Sequence, residues 1–173
     1  MLRLLMVFVL MATASPAWAQ TQDDGRARCM NPNPDTKIAG CTAVILSGQE
    51  TAANLAVAYS NRSDAYEAKG LHDLAIADAS TAIGLSPSHA AAFNARAWAY
   101  HGKGDDARGL PDAQKAVELA PNDAYVLETR AEIYEKLGQR EKAIADYRTA
   151  LVIDPDLREA QDGLRRLGIV LLK

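Results

Sequence analysis

The sequence predicts an all-α protein, a helical solenoid of three helix-turn-helix units with a partial unit before them and a capping helix after them. Three observations carry that prediction. Identical residues recur at a strict spacing of 34 between Ala56 and Leu157, a glycine and a proline punctuate every unit at fixed places, and apolar or small residues within each half-unit recur at helical spacing. The columns are Arg62, Arg96 and Arg130; Tyr66, Tyr100 and Tyr134; Gly70, Gly104 and Gly138; Asp78, Asp112 and Asp146; Ala82, Ala116 and Ala150; and Pro87, Pro121 and Pro155. Six identical columns in one phase are not a product of composition.

In chain order, residues 1–19 read as an export signal, with Arg3, an apolar run from Leu4 to Ala12, and small residues at Ala17 and Ala19. Nine apolar residues fall short of the roughly 20 a membrane-crossing helix needs, so cleavage after Ala19 is expected, with no stable membrane anchor afterwards. Cleavage leaves 154 of the 173 residues, enough for one short solenoid, and 18 basic against 22 acidic residues, a net charge of −4. Such a balance excludes general nucleic-acid binding, which needs a basic surplus to neutralise phosphates.

Residues 20–34 form a polar, proline-bearing leader, and residues 35–48 a helix that caps the open end of the stack. Cys29 and Cys41, the only cysteines, fall in these two segments. An even pair in an exported chain forms one disulfide in the simplest reading, closing a loop of about 13 residues and contributing about 3 kcal/mol. A metal site is the alternative, although two cysteines without a nearby histidine supply half of a zinc ligand set.

Units follow at 56–89, 90–123 and 124–157. In the first, Leu55, Tyr59, Ser63 and Tyr66 share one helical stripe, Gly70 supplies the turn, and Asp73 is the expected cap of a second helix. That helix turns Ile76, Ala79, Ala82 and Ile83 inward and closes at Pro87. The middle unit departs from the plan: Gly109 replaces Ala75 and Ala143, and Pro111 falls where the second helix should be running. A delayed or kinked start is expected there, as tolerated drift or as a hinge. Residues 158–173 make a charged capping helix with Leu164 and Leu167 inward, followed by the apolar stretch Ile169 to Leu172.

These units resemble tetratricopeptide repeats over about 102 residues, with small residues where the two helices meet, an aromatic late in the first helix, and a closing proline. Asn61-Arg62-Ser63-Asp64-Ala65-Tyr66 resembles a variant in which a glycine stands at the position of Ser63. The resemblance implies a right-handed solenoid, and a concave face lined by each unit's first helix that holds an extended peptide. Carried over by repeat position, that face comprises Ser60, Asp64 and Glu67, then Asn94, Trp98 and His101, then Tyr125, Glu128, Glu132 and Glu135. Peptide-binding members grip a terminal carboxylate with lysine, asparagine and arginine. The matching positions here are Ser60, Asp64, Ala95, Tyr125 and Thr129, so no basic clamp is expected.

The acids on that face point to a basic or aromatic-accommodating partner segment, with Trp98 and Tyr125 as anchor surfaces; the alternative is a solvated charged face on which Trp98 only fills space. Glu128, Glu132 and Glu135 share one helical face, where like charges repel. The arginine and aspartate columns, 16 residues apart, are expected to form ion pairs between helices, each arginine with an aspartate of its own or the adjoining unit. Catalysis is not expected: His72, His89 and His101 form no constellation, and the only polar set in the face is Asp64, His101 and Glu132. Gly102-Lys103-Gly104 reads as a turn, and Asn61-Arg62-Ser63 as a chance glycosylation match inside a helix. No cofactor is implied. The expected role is to hold a protein or peptide in the periplasm of a Gram-negative cell or outside another cell. The alternative is an envelope assembly protein that oligomerises through its helices or its apolar tail.

Overall fold

The computed structural model describes residues 24–170. The expected export signal and Leu171 to Lys173 lie outside the described residues. After a short helical stretch over 24–29, eight helices follow: α1 (Pro34–Leu46), α2 (Ala52–Glu67), α3 (His72–Leu85), α4 (Ala90–Gly102), α5 (Asp106–Leu119), α6 (Ala124–Lys136), α7 (Arg140–Ile153) and α8 (Arg158–Arg166). None of them is long and apolar enough to cross a membrane.

Local chemistry sets where these helices start and stop. The Asn33 side chain accepts from the Thr36 N–H at 3.1 Å with Pro34 opening α1, and Thr51, Asp105 and Asp123 cap α2, α5 and α6 in the same way. At the ends of the first helices, Gly70, Gly104 and Gly138 take φ of 70°, 79° and 71°, which a side chain would strain. The residue after each glycine bonds back to the tyrosine carbonyl: Leu71 to Tyr66, Asp105 to Tyr100 and Gln139 to Tyr134, at 2.8–2.9 Å. Gly168, φ 75°, ends α8 likewise, with Ile169 bonded to Leu164 at 2.9 Å. The capping helix is therefore the first helix of a fourth unit.

Two expected boundaries differ. Asp73 does not cap α3: Leu71 holds the cap position without a side-chain bond, and Asp73 pairs with Lys103 instead. Nor is α5 delayed, because it starts at Asp106, in register with His72 and Arg140. Pro111 lies inside it and leaves the Ala107 carbonyl without its helical donor. Gly109 is a packing requirement and not drift, since a Cβ there would lie 3.0 Å from the Ala97 carbonyl oxygen and 3.4 Å from Ile133 Cδ1. Ile133 occupies the column of Ala65 and Ala99, and its extra bulk takes the space that a side chain at 109 would need.

Alanine makes the core. Ala75, Ala79, Ala82, Ala97, Ala113, Ala116, Ala131, Ala143 and Ala150 are all fully buried, which lets the helices approach closely. Larger groups, Tyr147 and Leu164, fill the last interface. Charge is buried between each helix pair as well. Arg62, Arg96 and Arg130 each donate through Nε and a terminal nitrogen to both oxygens of Asp78, Asp112 and Asp146, at 2.6–3.0 Å. Those hydrogen bonds raise all three guanidinium pKa values against the opposing effect of burial. Arg62 also reaches Thr42 Oγ1 at 2.9 Å and Arg96 reaches Ser80 Oγ at 3.1 Å, tying the first and second full units to the one before.

The partial unit uses covalent chemistry in place of the ion pair. Cys29 and Cys41 are disulfide-bonded and buried, and the leader crosses so close to α1 that a Cβ on Gly40 would lie 2.4 Å from the Cys29 nitrogen.

A face formed by the first helices

First helices of successive units pack on one another, α2 on α4, α4 on α6 and α6 on α8, whereas the backbones of the second helices α3, α5 and α7 lie farther apart. In a curved stack the inner arc is the shorter, so the first helices line the concave side. Positions 34 residues apart then run along that face in rows: Ser60, Asn94 and Glu128; Asp64, Trp98 and Glu132; Glu67, His101 and Glu135.

At the first unit Asp64 is exposed, and the walls around it, with Glu67 adding to their effect and Lys37 opposing it, push its carboxyl up to about 6. It remains mostly ionised at neutral pH. In the middle unit Trp98 stacks on His101, ring centroids 4.9 Å apart. His101 Nδ1 lies 2.6 Å from Asp106 Oδ1, and its Nε2 lies 3.6 Å from Glu132 Oε2, so the ring bridges two units. Asn94 is half-buried with its amide oxygen unbonded.

The third unit is where structure and expectation part. Glu128, Glu132 and Glu135 do not stand as three repelling charges. Glu128 is 7% exposed, and burial, then the charges of Glu132 and Glu159, push its carboxyl up to about 8 against the opposing pull of Arg166, so it is neutral at pH 7 and hydrogen-bonds with Glu132. Glu135 takes two bonds from Arg166, Nε to Oε1 and Nη2 to Oε2, both at 3.0 Å, and a third from the Tyr147 hydroxyl at 2.9 Å. Arg166 holds the Glu135 carboxyl below its usual range. The same guanidinium lies 3.3 Å from Glu132 and 3.2 Å from the Tyr147 oxygen.

Of the ten residues assigned to the face, Asp64, Glu67, Trp98, His101, Glu132 and Glu135 reach it with at least partial exposure, as does Asn94. Tyr125 is 63% exposed at the start of α6. Ser60 and Glu128 are buried and offer no side chain to solvent. The polar set weighed for catalysis does not assemble: His101 meets Glu132, but Asp64 interacts with Lys37 and Glu67. Arg166 is the residue of this face that sequence reasoning missed. Its signal was available, since Asp64, Trp98, Glu132 and Arg166 form one column of the same period.

The fold and its face define a class: stacked helix pairs that present the first helices as one continuous inner surface. Family models of the tetratricopeptide repeat match residues 56–89, 90–123 and 124–157, and the chain belongs to that family. Comparison with curated protein sequences gives no match. Among solved structures, a thermophilic repeat protein of Thermus thermophilus, TTC0263, aligns over 87% of this chain and 81% of its own at 20% identity, TM-score 0.70. MamA protein aligns over 86% and 79% at 19% identity, TM-score 0.65. The first repeat domain of Spaghetti (RPAP3), bound to the HSP90 peptide SRMEEVD, aligns over 70% and 96% at 24% identity, TM-score 0.64.

Proposed function

We propose that this chain is a non-catalytic scaffold, exported by its N-terminal signal, that holds a basic segment of a protein partner against its concave face. The observation that carries this reading is the composition of that face: Asp64, Glu67, Glu132 and Glu135 beside the Trp98–His101 stack and the exposed Tyr125. Aromatic surface anchors a segment, and the carboxylates set the sign of its charge. The peptide held by the Spaghetti (RPAP3) domain is acidic at its end. Such an end suits a basic clamp, and the clamp positions here carry Ser60, Asp64, Ala95, Tyr125 and Thr129. If the source is a Gram-negative bacterium, the compartment is the periplasm, which suits a disulfide-tied leader.

The test is calorimetric titration of the mature protein with two blocked decapeptides that share one tyrosine, one lysine-rich and one glutamate-rich. The lysine-rich peptide is expected to bind, more weakly at higher salt, and to lose at least about tenfold in affinity against Trp98→Ala. Equal binding of both peptides, or indifference to Trp98→Ala, refutes the reading.

A further inference from the structure

Arg166 lies in the row of Asp64, Trp98 and Glu132, so it is a position of the concave face and not only of the cap. Its guanidinium is spread over Glu135 and Glu132, which are 20% and 18% exposed, whereas the arginine side chain is 47% exposed. The receiving groups are fixed from behind. Tyr147, fully buried, donates to Glu135, and His101, held by Asp106, stands against Glu132. The arginine, the last residue of α8, is held by the Glu132 and Glu135 carboxylates and by the Tyr147 oxygen at 3.2 Å. Helix α8 itself docks through Ala160, Gly163 and Leu164, with Gly163 so close to the Tyr147 ring that a Cβ would lie 2.3 Å from Cζ. Swinging Arg166 into solvent therefore needs side-chain rotation alone and leaves the helix in place.

We propose that Arg166 is an autoinhibitory contact: the chain holds its own guanidinium on Glu132 and Glu135, and an arginine of a partner segment enters the face by displacing it. This rests on the reading that the face takes a basic segment. The carboxylate pair with its buried tyrosine is a receptor for a planar, two-pronged donor, and a lysine ammonium cannot make both bonds to Glu135 at once. Arginine-bearing segments are thereby preferred over lysine-bearing ones. The affinity a partner shows is reduced by the fraction of time Arg166 occupies the pair, and removing the competitor returns that fraction.

The experiment titrates a blocked hexapeptide of alternating arginine and alanine into the mature protein, Arg166→Ala, Arg166→Gln and Trp98→Ala, each checked for an unchanged helical circular-dichroism spectrum. Both Arg166 variants are expected to bind about tenfold more tightly than the unaltered protein, and the matching lysine peptide to gain less. In the unaltered protein the Arg166 Nε–H resonance is followed by NMR as arginine peptide is added, and it is expected to move to a solvent-exposed position at saturation. Peptide binding that depends on Trp98 while the Arg166 variants bind no tighter and the resonance stays unmoved overturns the competitor and leaves the proposed function standing. Absence of binding by every form overturns both.

Discussion

Glu128→Gln tests the electrostatics of the third unit directly. The folded carboxyl titrates at about 8 against a usual 4.5, because it is buried and faces Glu132 and Glu159, with only Arg166 opposing. Its folded pKa lies above the unfolded one, so the native state binds the extra proton between those values, and stability falls as pH rises from about 4.5 toward 8. Integrated over that window, the side chain costs about 1 kcal/mol at pH 5, about 3 kcal/mol at pH 7 and about 4 kcal/mol at pH 8. Glutamine has the shape of the protonated acid and can donate to Glu132 as it does, so the variant escapes this cost. Urea denaturation at pH 5 and pH 8 reads the difference. The variant is expected to be only slightly more stable at pH 5 and several kcal/mol more stable at pH 8. The same small difference at both pH values, or a more stable glutamate at pH 8, refutes the reasoning.

Two further predictions concern the frame. Arg96→Ala strands the buried carboxylate of Asp112 and is expected to cost about 3 kcal/mol in urea denaturation, with Arg96→Lys recovering less than half because one ammonium cannot serve both oxygens and Ser80; a loss under about 1 kcal/mol removes the ion pairs from the stability argument. In the middle unit, Pro111→Ala is expected to raise thermal stability by about 1–3 kcal/mol, since it restores a donor to the Ala107 carbonyl at an exposed site. Its near neighbour behaves oppositely: Gly109→Ala is expected to destabilise despite a helix-propensity gain of about 1 kcal/mol, because the added Cβ meets the Ala97 carbonyl. A melting temperature raised by Gly109→Ala contradicts that packing.

The sequence by itself determined the frame. A 34-residue period repeats each local decision three times, so the turn glycines, the helix pairs and the pairing of the arginine column with the aspartate column were readable; that each arginine takes the aspartate of its own unit, 16 positions on, came from the structure. The glycine that ends α8, Gly168, falls 30 residues after Gly138 and so outside the period, but reading one more period along the column of Asp64, Trp98 and Glu132 would have placed Arg166. Tertiary structure alone decided what the face presents. Ser60 and Glu128 occupy face columns yet are buried, Tyr125 is exposed, and Glu132 and Glu135 meet an arginine from α8, two helices on. Gly109 likewise makes sense only in three dimensions, where the Ala97 carbonyl and Tyr100 of its own unit and Ile133 of the following one close around it. The physical reason is common to all of these. Contacts between units depend on how far each helix pair is rotated on the last, and burial in a concave surface depends on neighbours on both sides. A column of residue types records neither the rotation nor the size of the side chain that arrives from the adjoining unit, and those two quantities set which carboxylates keep a charge and which are left open to a partner.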